Sequence, residues 1–176
     1  MDNYYVSKLM ALLQEADVNT VANPLINITL QGRHDIYPKR RGMTRVKELL
    51  ASGINVAFGH DCVMDPWYSL GTHDMLEVAF MGLHVGQMTG QSEMQAMFDA
   101  ITVNGAQTLH LEDYGIDIGA YADMVLLQAR SPIEALRVRP ARLAVIRRGQ
   151  TLATTPRVET TVRAFGEPSQ IDFLYP

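Results

Sequence analysis

A short apolar segment that ends in glycine and opens into polar residues limits the folds available to this chain more than any other feature. The segment covers residues 54–58, and Gly59 follows it. An apolar run of this length between turn residues predicts a parallel strand that is buried on both faces. His60, Asp61 and Cys62 come directly after Gly59. Because the carboxyl ends of strands carry the chemistry in parallel α/β folds, we predict a functional site at this edge.

Asp61 is the residue of this stretch that is best suited to chemistry. A carboxylate at a strand end can bind a divalent metal ion and can accept a proton from a bound water molecule. Aspartate is also common in plain turns, and the local pattern alone favours that simpler reading. Trp67 follows in the same loop, where an aromatic ring can fold over whatever Asp61 binds.

Composition and charge exclude several classes of protein. The 176 residues carry a net charge of −4 and no basic block, which argues against nucleic-acid or membrane-surface partners. The single cysteine excludes an internal disulfide and a cysteine-based zinc site, and it fits a reducing, cytoplasmic setting. No signal peptide is visible at the N-terminus, and no apolar run approaches the roughly 18–20 residues of a membrane span.

The remaining pattern predicts helices alternating with strands up to about residue 112, and mainly short strands after it. The predicted helices cover residues 6–16, 44–52, 75–88, 93–104, 105–111 and 131–136. The predicted strands cover residues 18–22, 54–58, 124–127, 143–146, 151–154 and 158–164, and a long polar connection spans residues 25–42. Thr44, Thr72 or Asp74, and Ser92 are the predicted caps, with a capping box from Ser92 to Gln95. Strands joined through helices imply parallel pairing with right-handed crossovers.

Seven short stretches carry a further signal. They are NPLIN at 23–27, LQGR at 30–33, YPKRRG at 37–42, TRVKE at 44–48, GHD at 59–61, DPW at 65–67 and GAYADMVL at 119–126. In this order they resemble the metal-dependent amidohydrolase superfamily, and most closely its cytosine deaminase branch. The resemblance implies an α/β fold: residues 1–112 as the C-terminal segment of a metal-dependent hydrolase (β/α) barrel, and residues 113–176 as the closing piece of a small β-sandwich domain.

The resemblance also implies an activity and roles for three residues. In such hydrolases one divalent metal ion, iron or zinc, activates a water that converts cytosine to uracil and ammonia. Asp61 matches the aspartate that binds the metal and accepts the water's proton. Trp67 matches an aromatic near the substrate. Cys62 stands where cytosine deaminases usually have a second aspartate beside the pyrimidine ring, which leaves a related pyrimidine or cyclic amidine as a possible substrate.

The other elements of the superfamily's metal site have no match in this sequence. No two of the five histidines are separated by one residue, so an H-x-H pair is absent; they are His34, His60, His73, His84 and His110. Metal catalysis wants about three or more protein ligands, so we expect the chain to be inactive alone. It would need an N-terminal half or would self-associate. The alternative is a non-catalytic remnant that serves as an oligomerisation or interaction module.

Further candidates each have a simpler interpretation. His60 could support Asp61 from behind, or could be a packed histidine with a backbone partner. His73 and Glu77 stand four residues apart and could share a metal, but a solvated helix face explains the spacing as well. The basic residues around position 40 could bind an anion, or could form a solvated patch.

Overall fold

A computed structural model describes residues 2–40, 42–163, 166 and 169–170. The chain divides into two compact units, residues 1–112 and 113–176. Which domain of a larger protein each unit represents stays a prediction. Within the described residues, no helix combines the length and apolarity that crossing a bilayer would require.

The first unit is built around a pair of parallel strands. Its described elements are α1 (Asn3–Glu15), β1 (Thr20–Ala22), α2 (Pro24–Leu30), α3 (Val46–Ala51), β2 (Val56–Phe58), α4 (Met75–Val85), α5 (Gln91–Ala100) and α6 (Val103–Thr108). Thr20 pairs with Val56, and Ala22 pairs with Phe58. The predicted parallel pairing is therefore confirmed, and the two strands end at the same edge of the sheet.

Strand β2 lies at the centre of this unit. All of its residues are buried, and α3, α4, α5 and α6 pack against it. Gly82 of α4 faces the Phe58 ring so closely that a Cβ atom there would stand 2.8 Å from Cζ of that ring. The helix reaches the strand only because residue 82 has no side chain. Burial of β2 from both faces explains why its sequence is apolar throughout.

A polar network holds the amino ends of the two strands, at the edge opposite to Asp61. The Asn55 side-chain amide donates to Asn19 Oδ1 at 2.7 Å and to Thr108 Oγ1 at 3.0 Å. The Asn104 amide donates to the Val56 carbonyl at 2.9 Å. These bonds satisfy half-buried polar groups and fix α6 against the start of β2.

The second unit is mainly β-structure. Its described elements are β3 (Met124–Leu127), α7 (Pro132–Val138), β4 (Arg142–Arg147), β5 (Gln150–Thr154), β6 (Thr161–Val162) and β7 (Ser169–Gln170). Strands β3, β4 and β5 form an antiparallel sheet in that order, and β6 pairs with β7. Gly149 between the predicted strands 143–146 and 151–154 is typical of a hairpin, and β4 and β5 form that hairpin. The last predicted strand shortens to β6, and its final residue, Ala164, lies outside the described residues.

The structure corrects the predicted start of two segments. The connection predicted for residues 25–42 begins with helix α2, because Pro24 occupies the first helical turn, where its missing N–H costs nothing. Helix α1 begins at Asn3 rather than at residue 6, since the Asp2 carboxylate accepts a hydrogen bond from the Tyr4 N–H at 2.9 Å.

Two of the predicted caps are replaced by others, and Asp74 is confirmed as one of the two caps predicted for α4. Thr44 does not cap α3, whose N-cap residue is Arg45 without a side-chain bond. Helix α4 is capped by Asp74 and ends at Val85 with Gly86 as its C-cap residue. The predicted Ser92–Gln95 capping box is wrong. Helix α5 starts two residues earlier than predicted, at Gln91, and the Glu93 carboxylate accepts from the Gly90 N–H at 3.0 Å.

Candidate active site

The carboxyl ends of β1 and β2 bring two polar side chains together. Asn23 follows β1, and Asp61 follows β2 after Gly59 and His60. The Asn23 amide donates a hydrogen bond to Asp61 Oδ2 at 3.3 Å. A Cβ atom at Gly59 would lie 2.5 Å from Asn23 Oδ1, so the glycine leaves the room that Asn23 occupies. The parallel pairing of the strands thus places Asp61 at the edge where the sequence predicts the site.

The backbone of Asp61 is held in the left-handed region, at φ 66°. This conformation is unfavourable for residues with a side chain, although aspartate tolerates it better than most. A hydrogen bond joins the two neighbours of Asp61. In it, Nδ1 of His60 lies 2.8 Å from the carbonyl oxygen of Cys62. His60 is therefore buried and has a backbone partner, a geometry that is compatible with both interpretations of this residue.

Asp61 opens onto a cleft of about 540 Å³, a size typical of small-molecule sites. Helix α2 and the connection after it form most of the wall. The lining residues are Ile26, Asn27, Leu30, Gln31, Met43, Thr44 and Asp61. Asp61 is the charged residue of this lining, and the others offer amide, hydroxyl and apolar groups. Such a mixture suits an uncharged polar ring better than a strongly charged ligand.

The Cys62 thiol lies between two carboxylates. Its Sγ donates to Asp61 Oδ1 at 3.5 Å. A hydrogen bond to Asp65, partial burial and the bond to Asp61 raise the pKa of the thiol to about 12. The same bond from Cys62 lowers the pKa of Asp65, with help from the backbone N–H groups of Tyr68 and Trp67. At neutral pH, Cys62 is therefore a neutral hydrogen-bond donor and not a thiolate nucleophile.

Trp67 lies in the same loop, but its side chain is 71% exposed and is not among the residues that line the cleft. Its backbone N–H donates to Asp65 Oδ1 at 2.9 Å, so the residue helps to shape the loop. Its role over a substrate stays a prediction.

The described residues do not form a complete metal centre. No group of three or more histidine, cysteine, aspartate or glutamate side chains lies close enough to hold an ion in the part of the chain that the structure describes. Glu77, which could share a metal with His73 by its spacing, accepts a hydrogen bond from Thr72 Oγ1 at 3.0 Å. Asp61 alone could supply one ligand, while zinc sites take three or four. The remaining ligands would have to come from other residues.

Sequence reasoning missed three contributors to this site. The cleft-lining residues Asn27 and Gln31 fall in the segment predicted as a connection. The sequence shows Asn23 only as the first residue of the NPLIN stretch, directly after the predicted strand 18–22. The Asn-Pro pair directly after the predicted strand could have indicated this role. A polar side chain at that position lies at the same carboxyl edge of the sheet as Asp61.

Parallel strands covered by helices, with a carboxylate and a cleft at their carboxyl edge, define an α/β protein with its candidate active site in the position usual for α/β barrels. The chain belongs to the amidohydrolase family, whose family model matches residues 1–164. The fold is part of a TIM-barrel amidohydrolase, so the fold class predicted from the sequence is confirmed.

Deaminases and related hydrolases are among the similar proteins. A crystal structure of the 5-methylcytosine deaminase from Klebsiella pneumoniae with 5-fluorocytosine is 40% identical, with a TM-score of 0.88 over 93% of this chain. The N-isopropylammelide isopropylaminohydrolase from Burkholderia multivorans is 26% identical, with a TM-score of 0.75 over 88% of this chain. The pterin deaminase of Rhizobium rhizogenes is 31% identical over 153 residues, or 86% of this chain.

The chain corresponds to only part of each of these proteins. It covers 40% of the Klebsiella chain, 36% of the Burkholderia chain and 35% of the pterin deaminase. The predicted resemblance to a segment of a cytosine deaminase-like enzyme is confirmed. The amidohydrolase superfamily generally uses a divalent metal ion.

Proposed function

We propose that this chain is a segment of a hydrolytic deaminase that acts on cytosine or a related pyrimidine, and that Asp61 is its catalytic carboxylate. The observation that carries the proposal is the position of Asp61. It stands at the carboxyl edge of the parallel pair, is oriented by Asn23 and opens onto the cleft. The 40% identity to a 5-methylcytosine deaminase supports the choice of substrate class.

The proposed reaction replaces an exocyclic amine by an oxygen. Water adds to the ring carbon that carries the amine, and a carboxylate near that carbon accepts the proton which the water loses. The carbon–nitrogen bond then breaks, and the amine leaves as ammonia after receiving a proton. Asp61 is the group of this chain suited to take and return that proton. A metal ion of the kind the superfamily uses would need ligands beyond the described residues.

Cys62 and Trp67 are the proposed substrate-contacting residues. A neutral thiol beside the ring carries no charge at neutral pH, in contrast to the aspartate usual at this position in cytosine deaminases. It should therefore tolerate an apolar ring substituent better than a carboxylate would. We expect Cys62→Asp to change the preference between cytosine and 5-methylcytosine more than it changes metal content.

The test restores a complete protein by fusing this chain to the part of the Klebsiella 5-methylcytosine deaminase that lies outside the match. Ammonia release from cytosine and 5-methylcytosine is measured for the fusion and for the 176-residue chain alone. We expect activity in the fusion and none in the chain alone. Asp61→Asn should lower kcat in the fusion by about 10²–10⁴-fold, as expected for loss of a general base.

Asp99→Asn is the matched control, because it makes the same change on α5, where Asp99 accepts from Gln95 and does not line the cleft. It should leave kcat unchanged. Full activity of Asp61→Asn would refute the catalytic role of Asp61. A folded fusion that releases no ammonia from either ring would favour the alternative, a non-catalytic interaction module.

A further inference from the structure

We infer that His60 is a positioning residue for Asp61: its imidazole holds the left-handed backbone of Asp61 through a hydrogen bond that spans that residue. The catalytic meaning of this inference rests on the proposed function, while the geometry itself does not.

The hydrogen bond defines the tautomer of His60. Its Nδ1 lies 2.8 Å from the Cys62 carbonyl oxygen. A carbonyl can only accept a hydrogen bond, so Nδ1 must carry the proton and donate it. In the neutral ring, Nε2 is then a bare acceptor. Nε2 is buried, and no described residue donates to it. The single N–H of the neutral ring therefore donates to the backbone carbonyl of Cys62, next to Asp61.

The surroundings of the ring leave it little freedom. His60 is 9% exposed. The centroid of its ring lies 6.2 Å from that of the Tyr68 ring and 6.5 Å from that of the His73 ring. Gly71 closes the remaining side, where a Cβ atom would stand 2.5 Å from His60 Cε1 and 2.9 Å from Nε2. A side chain confined in this way directs Nδ1 towards one acceptor, which is the condition for a precise positioning bond.

The bond closes a small ring of atoms around Asp61. It joins the side chain of residue 60 to the carbonyl of residue 62 and so restrains the φ and ψ angles of the residue between them. The left-handed conformation of Asp61, at φ 66°, has a free-energy cost, and the hydrogen bond offsets part of it. Without it, the backbone is expected to relax to negative φ, which would carry the carboxylate away from the Asn23 amide and the cleft.

A histidine that merely fills space would behave differently. Space-filling depends on volume, and several side chains could then replace the ring. A positioning role depends on a donor at the place of Nδ1. Asparagine puts its amide nitrogen close to that place, whereas glutamine puts its amide nitrogen close to the place of Nε2, which points away from Cys62. His60→Asn and His60→Gln are therefore a matched pair.

The first measurement is magic-angle spinning NMR of the chain labelled with ¹⁵N-histidine, which does not depend on particle size. The His60 signals are assigned by their loss in His60→Asn. We expect a protonated Nδ1 and an unprotonated Nε2. The second is the φ-dependent coupling of Asp61, which should remain at its left-handed value in His60→Asn and shift in His60→Gln. An Nε2–H tautomer, or equal Asp61 couplings in both variants, would overturn the inference.

The activity of the fusion described above gives an independent measure. His60→Gln should lower kcat by about 10–100-fold, as is usual when a group that orients a catalytic residue is lost. His60→Asn should recover most of that loss, with KM close to that of the parent in both. Equal losses in the two variants would overturn the positioning role. If the fusion itself is inactive, the proposed function fails, while the two NMR measurements still decide the inference about His60.

Discussion

At the scale of single residues, two carboxylates decide what Cys62 can do. The thiol lies beside both, and Asp65 has the larger effect on its pKa. A raised pKa means that the folded chain holds the thiol proton more tightly than the unfolded chain does. The resulting stabilisation is fully present at neutral pH and is lost as the pH rises from the ordinary thiol range towards about 12.

We expect Cys62 to react slowly with iodoacetamide between about pH 7 and pH 10, where an ordinary thiol becomes reactive. Asp65→Asn removes the largest cause of the shift and should move the onset of reaction to lower pH. Asp61→Asn is the matched comparison and should move it less. Because the chain has one cysteine, the alkylated fraction measured by mass spectrometry reports this site alone. A reaction profile like that of free cysteine would contradict the arrangement.

At the scale of elements, helix α4 and strand β2 approach each other through a glycine. Gly82 faces the buried Phe58 ring without room for a further carbon atom. Gly105 in α6 has no atom within 4 Å of the position that its Cβ would take. Both glycines lie in helices of the first unit. Replacement by alanine therefore tests packing at Gly82 and helix propensity at Gly105.

We expect Gly82→Ala to lower the free energy of unfolding by about 1 kcal/mol or more, because overpacking outweighs the better helix propensity of alanine. Gly105→Ala should raise it by about 0.5–1 kcal/mol, since nothing opposes the gain in propensity. Urea denaturation of the two variants and the parent measures both effects. The close approach of α4 and β2 would be disproved if both substitutions stabilised the chain equally.

At the scale of the whole molecule, the described barrel-type sheet has two strands, whereas a closed barrel of this kind has eight. Val21 in β1 is 49% exposed, so this strand is less covered than β2, all of whose residues are buried. In this sheet of two described strands, β1 has one edge without a described partner strand, and such an edge favours pairing with another chain. We propose that this edge is where the rest of a barrel, or a second copy of the chain, attaches.

We expect the 176-residue chain to associate when it is studied alone, and gel filtration with light scattering gives the measured mass. Val21→Lys should reduce association, because a charge on an edge strand opposes pairing. Ile36→Lys is the control, since Ile36 is a highly exposed apolar residue in a connection outside the sheet. A monodisperse parent monomer would contradict the expectation, and an equal effect of both variants would assign association to general hydrophobicity.

Local sequence determined the type of several elements and the position of the site's central residue. The apolar run before Gly59 predicts β2, and the turn at Arg148 and Gly149 predicts the hairpin, because apolar patterning and turn chemistry act over a few neighbouring residues. Asp61 follows from the same logic, as the polar residue just beyond a buried strand. Helix α2 was missed because Pro24 both ends a strand and suits the first turn of a helix.

The tertiary structure alone decided which groups surround Asp61. Asn23 lies 38 positions away in the chain and reaches the carboxylate because two parallel strands end side by side. The bond from His60 to Cys62 is short in sequence, but its geometry depends on the packing of Gly71 and Tyr68 around the ring. Such contacts depend on distances between distant segments, and these are set only when the strands pair and the helices pack against them.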